Sequence, residues 1–322
     1  MYQIIKHAYQ HAFNYKTNKS IYNILMGKKS HQTFFDACSQ QLLSLYHSFP
    51  RLKYPSFERY LNELDNYDAL YEIKMHPRFT YDSLIKTFNC IQLLIQTVSQ
   101  SQHQAYKFVP VAQQTYIQQR VKDIYKLIRE QQLETQVYNE IHQLFDKLAS
   151  KNAHIYLHYY LQGYEEPMYT RQQVSLIESI SQEELFELEM NQLVDLMYEL
   201  ENNNDYPILH QTIILPTLLN KTKMTYRQLQ QGQSPQEIAT IQNVKINTIE
   251  DHLLELFIKG YMHDYETFID LSEKDNFINY YSSNLGLKLR EYKQQFSELS
   301  YFQIKLMIVG IERGDIVATR ET

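Results

Sequence analysis

The stretch that decides the fold runs from Ser234 to Gly260 and reads SPQEIATIQNVKINTIEDHLLELFIKG. Its first four residues, Ser234-Pro235-Gln236-Glu237, predict a helix start, because Ser caps a backbone N–H, Pro fits the first turn and Glu reaches back to the cap. Asn247-Thr248-Ile249-Glu250 offers a second capping box for the next helix. Between the two helices the chain has to turn sharply, and Asn243 tolerates the left-handed backbone conformation that such a turn requires. Two capped helices joined by so short a turn predict a helix-turn-helix.

The interior of this motif is predicted from one set of apolar and small residues, namely Ile238, Ala239, Val244, Ile249, Leu253 and Phe257. The small Ala239 would let the two helices approach closely. A third capping box, Thr225-Tyr226-Arg227-Gln228, predicts a short helix before the pair, and Gly232 could end it. Since the last helix of such a motif enters the DNA major groove, the motif is typical of DNA-binding proteins.

The rest of the chain indicates an all-α fold. Only 7 of the 322 residues are Gly, and long Gly-free stretches have the spacing of amphipathic helices, as in residues 133–148. Ser181 begins another capping box before a Leu-rich helix, and no strand-like alternation competes with these patterns. We therefore predict a large helical domain over residues 1–215, expected to bind a partner. A C-terminal helix-turn-helix domain of plain or winged type should follow over residues 216–322.

Composition places the protein in the cytoplasm by default. The chain is 43% apolar and 21% charged, has no apolar run of the roughly 20 residues that cross a bilayer, and starts without a signal peptide. Cys38 and Cys90 are too far apart in sequence to suggest a disulfide framework or a metal knuckle. Its net charge of −6 predicts weak non-specific affinity for DNA.

No motif predicts an enzyme, and we expect no catalytic residue, metal or cofactor. Gly27-Lys28-Lys29-Ser30 invites comparison with a phosphate-binding loop, but that loop needs a Gly where the chain has Tyr22, and a preceding strand. A helix C-terminus capped by Gly27 is the simpler interpretation. The histidine pairs at one-turn spacing lack the Glu of an HExxH motif and a third ligand: they are His7 with His11 and His154 with His158.

From Met224 to about Ile311 the sequence resembles the helix-turn-helix domain at the C-terminus of some RecQ-type helicases. The matching stretches are TYRQLQQGQSPQEIATIQNVKINTIEDHLLELFIKGY and LREYKQQFSELSYFQIKLMIVGI. The residues that make this resemblance more specific than a plain helix-turn-helix pattern are Glu237-Ile238-Ala239, Thr248-Ile249, His252-Leu253 and Ser300-Tyr301-Phe302-Gln303-Ile304-Lys305. One departure is Asn243, since helix-turn-helix proteins often place Gly in this turn.

The N-terminal part is similar to the YpbB family of Firmicutes in the segment ILMGKKSHQT, residues 24–33. The resemblance implies a domain of the RecQ type without a helicase motor, in a protein encoded beside a RecQ-like helicase. It therefore implies an accessory role in DNA repair or recombination, with that helicase as partner. Net charge and hydropathy add the expectations that the chain alone binds DNA weakly and that it has no membrane contact. The alternative that the residues leave open is a transcriptional regulator whose helical domain senses a ligand or dimerises.

The predicted DNA-binding residues are Ser234, Gln236, Lys245, Asn247, Thr248 and Asp251. Asn247 and Thr248 could contact a base edge or a phosphate, and the start of the second helix could offer backbone contacts through Ser234 and Gln236. The outward positions of the last helix are expected to be Asn247, Thr248, Glu250, Asp251, Leu254 and Glu255. Because several of these are acidic, the same surface could instead serve protein contact.

Overall fold

The computed structural model describes residues 1–64, 71–272 and 274–319. These residues contain α-helices and short 3-10 turns but no β-strand. The helices are α1 Tyr2–His11, α2 Asn18–Met26, α3 His31–Ser39, α4 Tyr54–Asn62, α5 Tyr81–Gln102, α6 Thr115–Gln131, α7 Glu134–Lys151, α8 Arg171–Glu178, α9 Gln182–Leu200, α10 Asn220–Gln230, α11 Pro235–Ile241, α12 Ile246–Ile258, α13 Lys274–Ser283, α14 Leu289–Gln295 and α15 Tyr301–Glu312. The predicted all-α fold is confirmed, and the described residues hold no hairpin that could form a wing.

The helices divide into two compact units, each assembled from segments that are distant in sequence. The middle unit contains residues 1–4, 71–76 and 82–214 of the described chain. The terminal unit contains residues 5–64, 77–81 and 215–319. One boundary lies between residues 214 and 215, one residue before the predicted domain boundary at 215/216, but the chain is not divided there into two consecutive units. Residues 5–64 join the C-terminal part in the terminal unit.

In the terminal unit, helix α3 explains why residues 5–64 pack with the C-terminal part of the chain. Its residues from Thr33 to Ser39 are all buried, and it packs against α12 and α15 as well as against α2. A helix that is buried on every side has to be surrounded by other helices or loops. For α3 much of that cover comes from helices more than 200 residues later in the chain, which helical periodicity in the sequence does not reveal.

In the middle unit, polar side chains of α7 and α9 hold the irregular segments in place. The carboxylate of Glu140 accepts hydrogen bonds from the backbone N–H groups of Ile208 and Leu209, at 3.0 and 2.8 Å. The side-chain amide oxygen of Gln192 accepts from the N–H of Tyr156 at 2.8 Å. Buried backbone N–H groups outside helices need such partners, so these polar residues belong to the packing of the unit.

Many tyrosines have a similar structural use, which bears on the count of 28 Tyr in the chain. Their hydroxyls donate to carboxylates in both units. The pairs are Tyr71–Glu187, Tyr159–Glu178, Tyr160–Glu189, Tyr206–Glu199, Tyr265–Asp315 and Tyr281–Glu312. A tyrosine that buries its ring and satisfies a carboxylate is not free to stack on a base, so the tyrosine content does not indicate nucleic-acid binding.

We predict that residues 215–322 do not fold cooperatively without residues 5–64, because α3 fills the space between α12 and α15. In the full chain, Phe34→Ala should lower the free energy of unfolding by about 3–5 kcal/mol, since Phe34 is only 1% exposed. Urea unfolding followed by circular dichroism tests both statements. A cooperative transition of the isolated C-terminal fragment at the urea concentration that unfolds the full chain would contradict the first.

Candidate nucleic-acid interface

Helix α11 begins with the capping box that the sequence predicts. The Ser234 hydroxyl oxygen accepts from the N–H of Glu237 at 3.3 Å. The backbone N–H and the hydroxyl of Ser234 donate to the Glu237 carboxylate at 2.7 and 2.8 Å. These hydrogen bonds lower the pKa of Glu237, so its carboxylate stays ionised at the start of the helix. The backbone N–H of Ser234 is already engaged here, which leaves it poorly placed to bind a phosphate.

The turn between α11 and α12 depends on Asn243. Its φ of 52° is in the left-handed region, as predicted, and the following N–H of Val244 donates back to the carbonyl of Ala239 at 3.0 Å. This pattern satisfies a carbonyl at the end of α11. The predicted burial of Val244 is wrong, because its side chain is exposed, as are those of Ile241 and Ile246 on either side.

Helix α12 begins earlier than the sequence suggested. Its N-cap is Lys245, without a side-chain capping bond, so the predicted capping box at Asn247 is wrong. The predicted box at Thr225 is wrong too, since α10 starts at Asn220 and buries Thr225 in its middle. In both places a good capping sequence occurs within a helix because neighbouring packing, and not the local cap, sets the helix start.

Only the first part of α12 is accessible. Ile249 and Leu253 pack in one apolar cluster with Ile238 and Ala239 of α11, as expected for the motif. From His252 to Ile258 every residue of α12 is buried, because α3 and α15 cover the side that faces away from α11. The predicted outward positions Leu254 and Glu255 are therefore wrong.

The six predicted DNA-binding residues fall into two groups. Lys245 and Asn247 are exposed and Thr248 and Asp251 are half-buried, all at the accessible start of α12. Asp251 lies 3.9 Å from the ammonium of Lys305, which offsets its repulsion of phosphate. Ser234, half-buried, and Gln236, exposed, lie at the start of α11. The first group has the composition of a small DNA-contacting surface, and its role in binding stays a prediction.

Behind this surface lies a buried polar network that sequence reasoning missed. The carboxylate of Glu255 contacts the ammonium of Lys259 at 2.6 Å and the ring of His31 at 3.2 Å. It also accepts from the Thr222 hydroxyl and, at 2.8 Å, from the N–H of Leu219. The network thus joins α12 to α10 and to the start of α3. Its only signal in the sequence is the pair Glu255 and Lys259 at one-turn spacing, which usually marks an exposed face.

A second polar cluster extends the network towards the turn. The ring Nδ1 of His252 is 2.7 Å from the Thr225 hydroxyl, which accepts from the side-chain amide of Gln242 at 3.0 Å. The same amide donates to the side chain of Gln228 at 2.7 Å. Burial, and then the neighbouring His31, lower the pKa of His252, which favours its neutral ring. The hydrogen bonds connect α10, the end of α11 and α12, so they hold the turn against the first helix of the motif.

The two units differ sharply in charge. Among the described residues, the terminal unit has 20 Lys and Arg against 15 Asp and Glu, a formal net charge of +5. The middle unit has 10 against 18, a net charge of −8. The unit that contains the helix-turn-helix is therefore basic, although the whole chain is acidic. The net charge of the whole chain does not show this difference, because it sums the basic first 64 residues with the acidic middle unit.

The remaining candidate sites have structural roles. Gly27, with φ of 75°, caps the C-terminus of α2, and Ser30 caps the N-terminus of α3, as expected for a helix junction. His7 and His11 stack on each other, and Cys38 and Cys90 are free and buried. Within the described ranges, no group of three or more His, Cys, Asp or Glu is arranged to hold a metal ion. No helix there is both long and apolar enough to cross a membrane.

We predict that the free energy of unfolding falls as the pH drops from 4.5 towards 2, partly through Glu255. Burial raises the pKa of this carboxyl, but His31, Lys259 and Thr222 outweigh burial and hold it at about 2, below the usual 4.5. The carboxylate therefore stabilises the fold fully above pH 4.5, by about 3 kcal/mol, and this contribution disappears as Glu255 becomes protonated.

The test is Glu255→Gln, which leaves the Lys259 ammonium buried without its carboxylate and should cost about 3–5 kcal/mol at pH 7. Urea unfolding at a series of pH values should then show a flatter dependence between pH 4.5 and 2 than in the unmodified protein. Glu298→Gln, at an exposed carboxylate, is the matched control. It should change neither the free energy of unfolding at pH 7 nor its dependence on pH. Equal stability and equal pH dependence of the two variants would contradict the role of Glu255.

Comparison with known proteins bears on the whole chain. Residues 221–308 match a family model described as a helix-turn-helix domain. Protein YpbB of Bacillus subtilis (strain 168) is 22% identical over 331 residues, which cover 91% of this chain and 92% of that protein. No solved structure matches the chain significantly. The resemblance predicted from the sequence is confirmed: the chain is similar to YpbB over nearly its whole length and carries a helix-turn-helix domain near its C-terminus.

Proposed function

We propose that this protein is a non-enzymatic DNA-binding adaptor that works with a RecQ-like DNA helicase in DNA repair or recombination. The proposal assigns DNA to the terminal unit and the partner protein to the middle unit. It keeps the predicted cytoplasmic location, because both DNA and helicase have to be accessible.

The observation that carries the DNA part is the accessible start of α12 within a basic unit. Lys245, Asn247 and Thr248 combine a cation with two short hydrogen-bonding side chains, which suit phosphate and base-edge contacts. The net charge of +5 on the described residues of this unit supports attraction to DNA. Because the rest of α12 is covered, the helix has little length to offer the major groove, and this supports weak binding by the chain alone.

The helicase part rests on the resemblance of residues 224–311 to the C-terminal domain of RecQ-type helicases. The chain lacks a P-loop sequence, so ATP-driven unwinding would have to come from another polypeptide. The middle unit supports a protein contact, since its net charge of −8 disfavours DNA. It also exposes the neighbouring apolar side chains of Leu176 and Ile177 on α8.

We expect Lys245→Ala to weaken binding to duplex DNA and to reduce the slope of log affinity against log salt by about one, if Lys245 contacts one phosphate. Fluorescence anisotropy with a labelled duplex at several salt concentrations measures both quantities. Lys122→Ala, at an exposed lysine of α6 in the middle unit, is the control and should leave both unchanged. Identical slopes for the two variants would remove Lys245 from the DNA interface.

We also expect the purified protein to form a complex with a RecQ-like helicase and to increase its DNA affinity or its unwinding rate. Gel filtration of the mixture and an unwinding assay on a forked duplex test this. Absence of co-elution together with unchanged unwinding would reject the adaptor. A dimer that binds a palindromic site with half-sites one DNA turn apart would then support the transcriptional regulator.

A further inference from the structure

The first 64 residues are the most basic part of the chain, with 8 Lys and Arg against 3 Asp and Glu. One cation, Lys16, is neutralised by Asp36 at 2.6 Å in a largely buried pair. The other cations with exposed side chains are concentrated in α2, the connection to α3 and the segment around α4: they are Lys19, Lys28, Lys29, Arg51, Lys53 and Arg59. Like charges grouped in this way repel one another and attract anions.

These cations lie on two ordered segments that run side by side. The residues after α3, from Tyr46 to Tyr54, follow α2 in the opposite direction. Several hydrogen bonds join them. Among these are Tyr46 hydroxyl to Gly27 carbonyl at 3.0 Å, Phe49 N–H to Leu25 carbonyl at 2.8 Å, and Tyr22 hydroxyl to Leu52 carbonyl at 2.9 Å. The lysine pair at the end of α2 is therefore held in a defined position.

This position is next to the first helix of the helix-turn-helix. His31, two residues after Lys29, has its ring Nε2 3.5 Å from the hydroxyl of Thr222 in α10. Thr222 is buried, and the lysines on either side of it, Lys221 and Lys223, are exposed. Two exposed lysines from each of two distant parts of the chain therefore lie within three residues of one contact. We call Lys28, Lys29, Lys221 and Lys223 the junction lysines.

No carboxylate of the described residues lies within 4.0 Å of any junction lysine. The nearby carboxylate of Glu255 is buried and already bound to Lys259. Helix α3 also begins at this place, and the positive end of its backbone dipole adds to the attraction for anions. The junction is thus a positively charged surface without an acidic partner among the described residues of the terminal unit.

The observations favour the DNA backbone over other anions. The rings of Tyr22 and Tyr54 are covered by the ammonium of Lys19, at 4.4 and 4.2 Å, so they are not open for stacking on single-stranded bases. Between residues 16 and 64, all of them described, no large apolar side chain is exposed, and on α10 Met224 alone is. Insertion into a membrane surface requires a broad apolar face, which this surface does not have. Lysines without base-reading neighbours suit phosphates in a sequence-independent contact.

We propose that the junction lysines bind the phosphate backbone of duplex DNA beside the helix-turn-helix, supplying the cations that the exposed part of α12 lacks. The inference rests on the proposed DNA binding and adds to it a defined surface, half of which comes from the N-terminal segment. The N-terminal segment thereby acquires a role in DNA contact in addition to completing the core of the terminal unit.

The test compares the full-length protein with the variant Lys28→Ala/Lys29→Ala/Lys221→Ala/Lys223→Ala. The control Lys107→Ala/Lys122→Ala/Lys126→Ala/Lys147→Ala removes four exposed lysines of the middle unit and changes the net charge equally. Fluorescence anisotropy with a 30-base-pair duplex should show the affinity of the junction variant reduced about tenfold or more. Its salt slope should be smaller by about 0.9 for each phosphate that the variant no longer neutralises. The control should resemble the unmodified protein.

The outcomes separate the two proposals. If the unmodified protein does not bind the duplex, the proposed DNA-binding function fails. If it binds and the junction variant binds equally well, or if the control loses as much affinity, only the present inference is overturned. Preferential binding to phosphatidylglycerol vesicles or to single-stranded DNA of equal length would also overturn it.

Circular dichroism and thermal melting test whether each variant is folded. If the alanine variant is not folded, Lys28→Gln/Lys29→Gln decides the question, with retained duplex affinity counting against the inference. Replacing all four junction lysines by arginine should preserve binding, because phosphate contact requires the charge. Loss of duplex affinity in a folded arginine variant would count against a charge-based contact.

Discussion

The terminal unit depends on the buried ion pair between Glu255 and Lys259 in α12. Both side chains are at most 3% exposed, and an ion pair removed from water in this way is stable only when its remaining hydrogen-bonding groups have partners. Those partners are Thr222 in α10, the carbonyl of Thr217 just before α10, and His31 at the start of α3. The ammonium of Lys259 also lies 3.7 Å over the ring of Phe34. The helix-turn-helix and the N-terminal segment therefore form one structure.

This constraint determines how the motif can meet DNA. A recognition helix that is free on its outer side can lie along the major groove. In α12 that side is occupied by α3 and α15 from His252 onward, which leaves about two turns accessible. Such a helix can present its N-terminal residues to a groove but cannot insert along its length, so affinity has to come from phosphate contacts elsewhere on the unit. We propose that the junction lysines supply those contacts, since the same ion-pair network brings His31 against α10.

The sequence predicts the local features of this fold well and the non-local ones poorly. The capping box at Ser234, the left-handed Asn243 and the helix that begins after Ser181 follow from interactions between residues at most a few positions apart, which local sequence encodes. The predicted starts of α10 and α12 were wrong, which shows the limit of prediction from local sequence. A capping sequence does not end a helix when tertiary packing favours a longer one. The burial of Leu254 and Glu255 depends on α3, about 220 residues earlier, and no spacing rule reaches that far.

The difference between local and non-local features also explains why the net charge of the chain is a poor predictor of where it attracts DNA. A value of −6 describes the chain as a whole, but a phosphate at the protein surface interacts mainly with charges within about 10 Å at 0.1 M salt, because ions screen the rest. Local density of charge therefore matters more than the total. In this chain the positive density is produced only on folding, when residues 28–29 and 221–223 come together, and the carboxylates are concentrated in the middle unit. This segregation of the two signs is the physical basis of the proposal that the terminal unit attracts DNA and that the middle unit contacts a protein partner.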